Sequence, residues 1–218
     1  SDSWVRSTFK NIVIERTWQE LNGTDCIPDD VPTKKQSICT SRSFDGMIND
    51  LDTLRTHIAN FAARCAEKLR RQQSVAHIVG VFIDSNHFRQ ELEQYWNMTE
   101  VAFPTPSSST IDIVKAATVC LSRIYRKDIQ YKRAGVILMG VIPNSAIQPD
   151  LFTFDAAHHA HMQQLDKAVD KINKVDGTET VILSSQQYPR GTKFADAIKH
   201  DFKSSCPTTR WCEIMKIK

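Results

Sequence analysis

Few side chains in this sequence are of types and spacings that could do catalytic chemistry. Asp50-Leu51-Asp52, with Asp45 just before, is the nearest approach to the clustered carboxylates that hold two divalent ions against a triphosphate. The pair stands where a helix is expected to start, and carboxylates there answer free backbone N–H groups, so capping is the reading. His158 and His161 in His158-His159-Ala160-His161 would share one helix face, and His200 lies near Cys206 and Cys212. No fixed Cys/His frame joins them, and they read as part of a surface helix rather than a metal site. No phosphate-cradling G-x-x-x-x-G-K-[ST], zinc-binding H-E-x-x-H or nucleophile-elbow G-x-S-x-G run occurs. No catalytic and no metal-binding residue is assigned.

Binding chemistry is easier to find. Lys34–Phe44, Lys-Lys-Gln-Ser-Ile-Cys-Thr-Ser-Arg-Ser-Phe, is rich in Ser/Thr and β-branched or aromatic residues. It reads as a strand, entered by two lysines, with one side able to meet phosphates while Ile38 and Phe44 anchor it. The bland alternative is a solvated strand end, and the residues alone leave the two readings even. Gln148-Pro149-Asp150-Leu151-Phe152 stands in a polar stretch and has the form of a peptide that docks in an apolar groove. Leu151 and Phe152 would supply the anchors and Gln148 the register. The competing reading folds Leu151, Phe152 and Phe154 back onto the core.

The elements that must position these groups follow from periodicity. Leu51, Leu54, Ile58, Phe61, Cys65 and Leu69 draw one apolar stripe on a helix over about 49–72. Lys68, Arg70 and Arg71 close it where the helix dipole favours cations. Strands are expected over Val75–Asp84, about Gln94–Pro104 and Gly135–Ile142, the last apolar on both parities and therefore central. A second helix, with Ser109 and Asp112 as a capping-box variant, presents Val114, Ala117, Leu121 and Ile124. Each helix has a single apolar stripe, so both must cover one face of the sheet and leave the other free. The expected fold is α+β: a four-stranded sheet with two helices on one face, ordered βαββαβ as in a ferredoxin-like, split βαβ sandwich.

Before this unit, residues 2–22 suggest two short helices closed by Asn22-Gly23, and 24–33 a linker. Their bulky apolar residues need the main unit or a further domain to pack on. After it, a helix over Ala156–Lys174 with Met162, Leu165, Val169 and Ile172 inward is expected. A strand at Thr180–Leu183 and a brief helix at Lys193–Phe202 follow, making a small α/β tail. At 218 residues, 41% hydrophobic and net charge +3, the chain has the composition of an ordinary globular protein whose charge permits an anionic partner without demanding one. Its six scattered cysteines contain no C-x-x-C pair, and no signal peptide or apolar run of membrane-spanning length is visible. A reducing cytoplasm is the simplest compartment. The start at Ser1, without Met, reads as a piece of something longer.

Three runs carry a family resemblance: Glu15–Gly23 (E-R-T-x-x-E-L-N-G), Ser41-Arg42-Ser43-Phe44, and Thr208-Thr209-Arg210-Trp211 near the end. With the βαββαβ unit between them they resemble the Y-family translesion DNA polymerases of the polymerase V type. The resemblance implies the end of a thumb domain and linker at 1–33, and a little-finger DNA-binding domain at 34–144. A clamp-binding linker at 145–157 and a tail domain at 158–218 complete it. It implies that Ser41, Arg42 and Ser43, with Lys34 and Lys35 and more weakly Lys132 and Arg133, grip DNA phosphates without reading bases. It makes Gln148, Asp150, Leu151 and Phe152 a sliding-clamp motif, from which Pro149 departs. The implied partners are primer–template DNA, the sliding clamp, the polymerase V accessory subunit and RecA, with no membrane. The implied setting is the SOS response in the bacterial cytoplasm, at the nucleoid. Mg²⁺ is implied only for the full-length enzyme, whose palm carboxylates lie N-terminal to this stretch. The rival is a stand-alone ferredoxin-like interaction or regulatory module with no DNA role; a positive free sheet face would support DNA, and a neutral or acidic one the rival.

Overall fold

A computed structural model describes residues 2–26, 34–149, 154–177 and 179–187. Helices α1 (Asp2–Phe9) and α2 (Ile12–Leu21) precede a central unit. That unit runs β1 (Ile38–Ile48), α3 (Leu51–Arg71), β2 (Ser74–Ser85), β3 (Trp96–Ser107), α4 (Thr110–Ile124) and β4 (Tyr131–Met139). A two-residue strand β5 (Ile142–Pro143) and helix α5 (Ala156–Val175) follow. The βαββαβ order is the one expected, and the strands lie β1-β4-β2-β3, all antiparallel.

Local chemistry sets these boundaries. Asp50 caps α3: its carboxylate accepts the Thr53 N–H at 2.7 Å. Leu54, Ile58, Phe61, Cys65 and Leu69 are buried as the stripe requires, against Val114, Ala117, Leu121 and Ile124 of α4 and the inner side of the sheet. Each such aliphatic or aromatic side chain contributes about 1.5–3 kcal/mol on burial. The capping box expected at α4 is not made. Ser109 is the N-cap but its side chain bonds nothing there; instead Ser107 Oγ donates to Asp112 and accepts the Ser109 N–H, both at 3.1 Å.

Two strand boundaries differ from expectation. Lys34 and Lys35 precede the ladder, and β1 starts at Ile38 and continues past Phe44 to Ile48, across an irregularity between Ser43 and Ile48. The strand expected over Gly135–Ile142 begins earlier, at Tyr131, and breaks at Gly140. There φ is +62°, a left-handed turn that glycine takes without strain. The chain then rejoins β2 as β5, a fifth strand.

At the N-terminus, Arg6 Nε donates to both Glu15 oxygens at 3.0 Å and ties α1 to α2. Gly23, at φ +81°, ends α2. Trp4, Ile12, Val13 and Leu21 stay exposed, so the helical pair alone does not bury them. At the other end α5 turns a different face inward than its apolar periodicity suggests. Met162 and Asp166 are buried, while Leu165 and Ile172 are exposed. Thr180–Leu183 forms no strand: Asn173 uses its amide to bond both Val181 N–H and C=O, at 2.8 and 3.0 Å, in place of a neighbouring strand. The helix expected at Lys193–Phe202 lies outside the described residues. Among the described residues no helix is long and apolar enough to cross a membrane.

Candidate nucleic-acid interface

Register places the candidate residues in rows across the face of the sheet that the helices leave open. Ser41 lies opposite Gly135, which lies opposite Phe82 and then Met98. One row on, Ser43, Arg133, Asp84 and Trp96 align in the same way. Ser41, Ser43 and Arg133 are exposed, and the Arg133 guanidinium rests 5.3 Å from the centroid of the Phe82 ring. Arg42 does not join them. Thr40 touches Cys65 and Lys68 of α3, and Phe44 stacks on His57 of α3 with centroids 4.7 Å apart. Alternation puts Arg42, between those two, on the helix side of the edge strand, where it is half-buried. Lys132 is also displaced: its Nζ donates to the Phe44 carbonyl across the β1 irregularity.

The charge of the open face is mixed, not the positive face that the DNA reading expected over the interaction-module rival. In the central rows Arg133 lies opposite Asp84, Glu100 stands two rows on beside Gly80, and Asp84 is 2.6 Å from His87 Nε2. The cations gather instead along the β1 edge, where the last turn of α3 meets the start of the strand. Lys34 and Lys35 are exposed there. Lys68 Nζ donates to Thr40 Oγ1 at 3.0 Å, and Gln72 Nε2 donates to the Lys35 carbonyl at 3.1 Å. A hollow of about 350 Å³ is walled by Lys35, Ser37, Ile38, Cys39, Lys68, Arg71 and Gln72, and no carboxylate lines it. Arg71, 72% exposed, pairs with Glu67 at 2.5 Å.

The two sheet edges differ as well. Pro104 and Pro106 remove N–H donors from the β3 edge and blunt it. The β1 edge carries no proline, so none of its N–H donors is removed in this way. Cations, hydroxyls and strand amides on one edge are donors that phosphate oxygens accept, and none of them reads a base.

The other candidate groups do not assemble into a site. Asp50 is engaged as the α3 cap, and the Thr53 N–H holds its carboxyl below the usual range. Asp52 pairs with Arg55 at 2.6 Å. This donor set does not fit a Mg²⁺ pair. Among the described residues no cluster of three metal-ligating side chains occurs. His161 is exposed and His159 faces Gln163 at 2.9 Å, while the side chain of His158 is outside the description. Burial pushes the Cys65 thiol up to about 11, so it behaves as a small core hydrophobe. Gln148 is exposed in irregular backbone after a single 3₁₀ turn at Asn144–Ala146, and Asp150, Leu151 and Phe152 lie outside the described residues.

Residues 35–151, more than half of the chain, match the impB/mucB/samB family C-terminal domain. The chain belongs to this family. Residues 163–217 match a domain of unknown function, DUF4113. Among curated relatives the impB/mucB/samB chain is 31% identical to UmuC of Salmonella typhimurium strain LT2 over 217 residues, 99% of this chain and 50% of that protein. It is 32% identical to ImpB of Salmonella typhimurium over 213 residues, 97% of this chain and 49% of that one. MucB of Escherichia coli is 33% identical over 211 residues, 96% of this chain and 48% of that one. The chain thus spans about half the length of the curated relatives it matches. A solved complex of the beta-clamp processivity factor and the little finger domain of PolIV is similar over 53% of this chain and 98% of that one, at 13% identity and a TM-score of 0.38. At that distance the likeness carries no weight.

In this impB/mucB/samB-family chain the sequence reading missed Lys68 and Arg71. Spaced i,i+3 in the last turn of α3, they read as dipole partners. What turns them into a surface is the entry to β1 folding back beside that turn, a non-local contact with no local signature.

Proposed function

We propose that this chain is the C-terminal, DNA-gripping part of an error-prone translesion DNA polymerase of the SOS response. The support is family membership together with one structural observation: Lys35, Lys68 and Arg71 line a hollow at the proline-free β1 edge with no carboxylate in its lining. Lys34, Lys35, Ser41, Ser43, Lys68 and Arg71 are the proposed phosphate contacts, with Arg133 beside them on the open face. The middle of the sheet is left out, because Asp84 and Glu100 there would repel phosphates. Backbone grip without base readout suits an enzyme that must hold primer–template whatever the lesion.

The stretch at Gln148–Phe152 is proposed to dock on a sliding clamp, with the accessory subunit and RecA as further partners of the whole protein. Nucleotide addition with Mg²⁺ is proposed for the full-length polymerase and assigned to no residue described here. Fluorescence anisotropy with two duplexes of unrelated sequence tests the DNA reading. The expected result is weak binding, equal for both, that falls steeply with salt. Salt-independent binding, or strong preference for one sequence, would overturn it.

A further inference from the structure

Helix α5 reaches the central unit through two carboxylates one turn apart. Asp166 and Asp170, at i and i+4, share a face of the helix. Arg70, in the last turn of α3, engages Asp170 bidentately, through Nε to Oδ2 at 2.7 Å and Nη2 to Oδ1 at 2.6 Å. Its Nη1 donates to the Ser108 carbonyl at 2.9 Å and to Thr110 Oγ1 at 2.8 Å, and lies 3.5 Å from Asp166 Oδ1. Asp166 in turn accepts the Thr110 N–H at 3.3 Å. The first turn of α4, which its own N-cap Ser109 leaves unbonded, is therefore capped by a carboxylate from α5. Farther along, Asn60 and Gln186 exchange two buried hydrogen bonds, at 3.0 and 3.2 Å, and Arg64 pairs with Glu179 at 2.9 Å.

These contacts are polar, and beside them half-buried Leu183 packs against the core. Met162 is the one buried apolar side chain among the described residues of α5, and Leu165 and Ile172 remain exposed. Docking of this kind depends on few groups and opens at low free energy, yet loses most of its hold when one partner of a buried charge pair is removed. On the other side of the intervening stretch, β5 is pinned to β2, and the Asn144 N–H donates to the Gln73 carbonyl at 3.0 Å.

We infer that residues 154–187 are a brace, latched to the helix layer by Arg70 reading the Asp166/Asp170 pair, that opens as a unit while the sheet stays folded. With the latch closed, the chain is fixed to the central unit on both sides of Gln148, at Asn144 and through α5. With it open, only the Asn144 side is fixed. This gives part of the domain of unknown function a role, and it holds whether or not the stretch at Gln148 binds a clamp.

Amide hydrogen exchange on the full chain tests it, with Arg70→Met and the milder Asp170→Asn, and Arg71→Met as an exposed neighbouring control. The expected result is exchange at least about tenfold faster over 156–187 in both latch variants, with β2 and β4 as protected as in the wild type. The control should leave 156–187 unchanged. Should Arg70→Met fail to fold, Asp170→Asn reads the same quantity. Unchanged exchange over 156–187 in Asp170→Asn would overturn the proposal. So would parallel loss of protection in the sheet, which would make α5 part of one cooperative core.

Discussion

Gly135 is the position where the open sheet face tolerates least. A Cβ there would stand 2.4 Å from Phe82 Cζ, and 2.6 Å from both Phe82 Cε1 and Ser41 Cβ. The Phe82 ring reaches over Gly135 because glycine leaves it room, and Arg133 rests on the same ring. Gly135→Ala must therefore swing the ring out or push β1 away from β4. Overpacking of this size costs about 1–3 kcal/mol. For a unit of roughly 100 residues that is a fall in melting temperature of about 4 °C or more per kcal/mol. Thermal melts on Gly135→Ala, Phe82→Ala and the double variant separate the two contacts. The alanine at 135 should cost less by about 1 kcal/mol or more once Phe82 is truncated, and the residue of the penalty belongs to Ser41. A single variant that melts with the wild type, or strict additivity in the cycle, would refute this account of the face.

Asp50→Ala should cost about 1 kcal/mol at neutral pH, read by thermal or urea unfolding. Because the carboxyl is held below its ordinary value of 3.8, its contribution is present above that pH and is lost as pH falls through the depressed value, so variant and wild type should converge in acid. With a thiol-alkylating reagent at pH 8, exposed Cys39 should label in the native state, while buried Cys65 and Cys120 should wait for unfolding. Replacing Leu151 and Phe152 together by Ala should abolish binding to a sliding clamp, a contact worth roughly 3–6 kcal/mol before ordering costs. The same change should leave the melting temperature unaltered, and a large drop would mean that the pair belongs to the core.

Much of the fold was legible because period and caps are local. The α3 stripe, the Asp50 cap, the Asn22-Gly23 stop and the central place of β4 all follow from neighbours a few residues apart. Boundaries slipped where geometry is set at a distance. Gly140 breaks an apolar run that reads as one strand, and Ser107 displaces the nearer Ser109 as partner of Asp112. The candidate site was legible in part. Ser41, Ser43, Lys34 and Lys35 stand where the strand reading put them or beside it. Arg42 falls on the helix side, apart from Ser41 and Ser43, because side chains alternate across a strand, and a run of three adjacent residues cannot share a face. Lys68, Arg71 and the Arg70 latch were out of reach, since each depends on partners that only the folded chain brings near. The inner face of α5 was misjudged for the same reason: its apolar period is real, but Arg70 selects the carboxylates instead.

The β1 edge as a phosphate grip is tested most directly by the salt dependence of DNA binding in Lys35→Ala/Lys68→Ala, with exposed Lys115→Ala on α4 as control. Each lost phosphate contact removes about 0.9 from the slope of log K against log salt, so the double variant should lose about 1.8. Between 50 and 200 mM salt the wild type should then lose about 12-fold more affinity than the double variant. The control should keep the wild-type slope. An unchanged slope in the double variant, or an equal change in Lys115→Ala, would contradict the assignment of DNA binding to this edge.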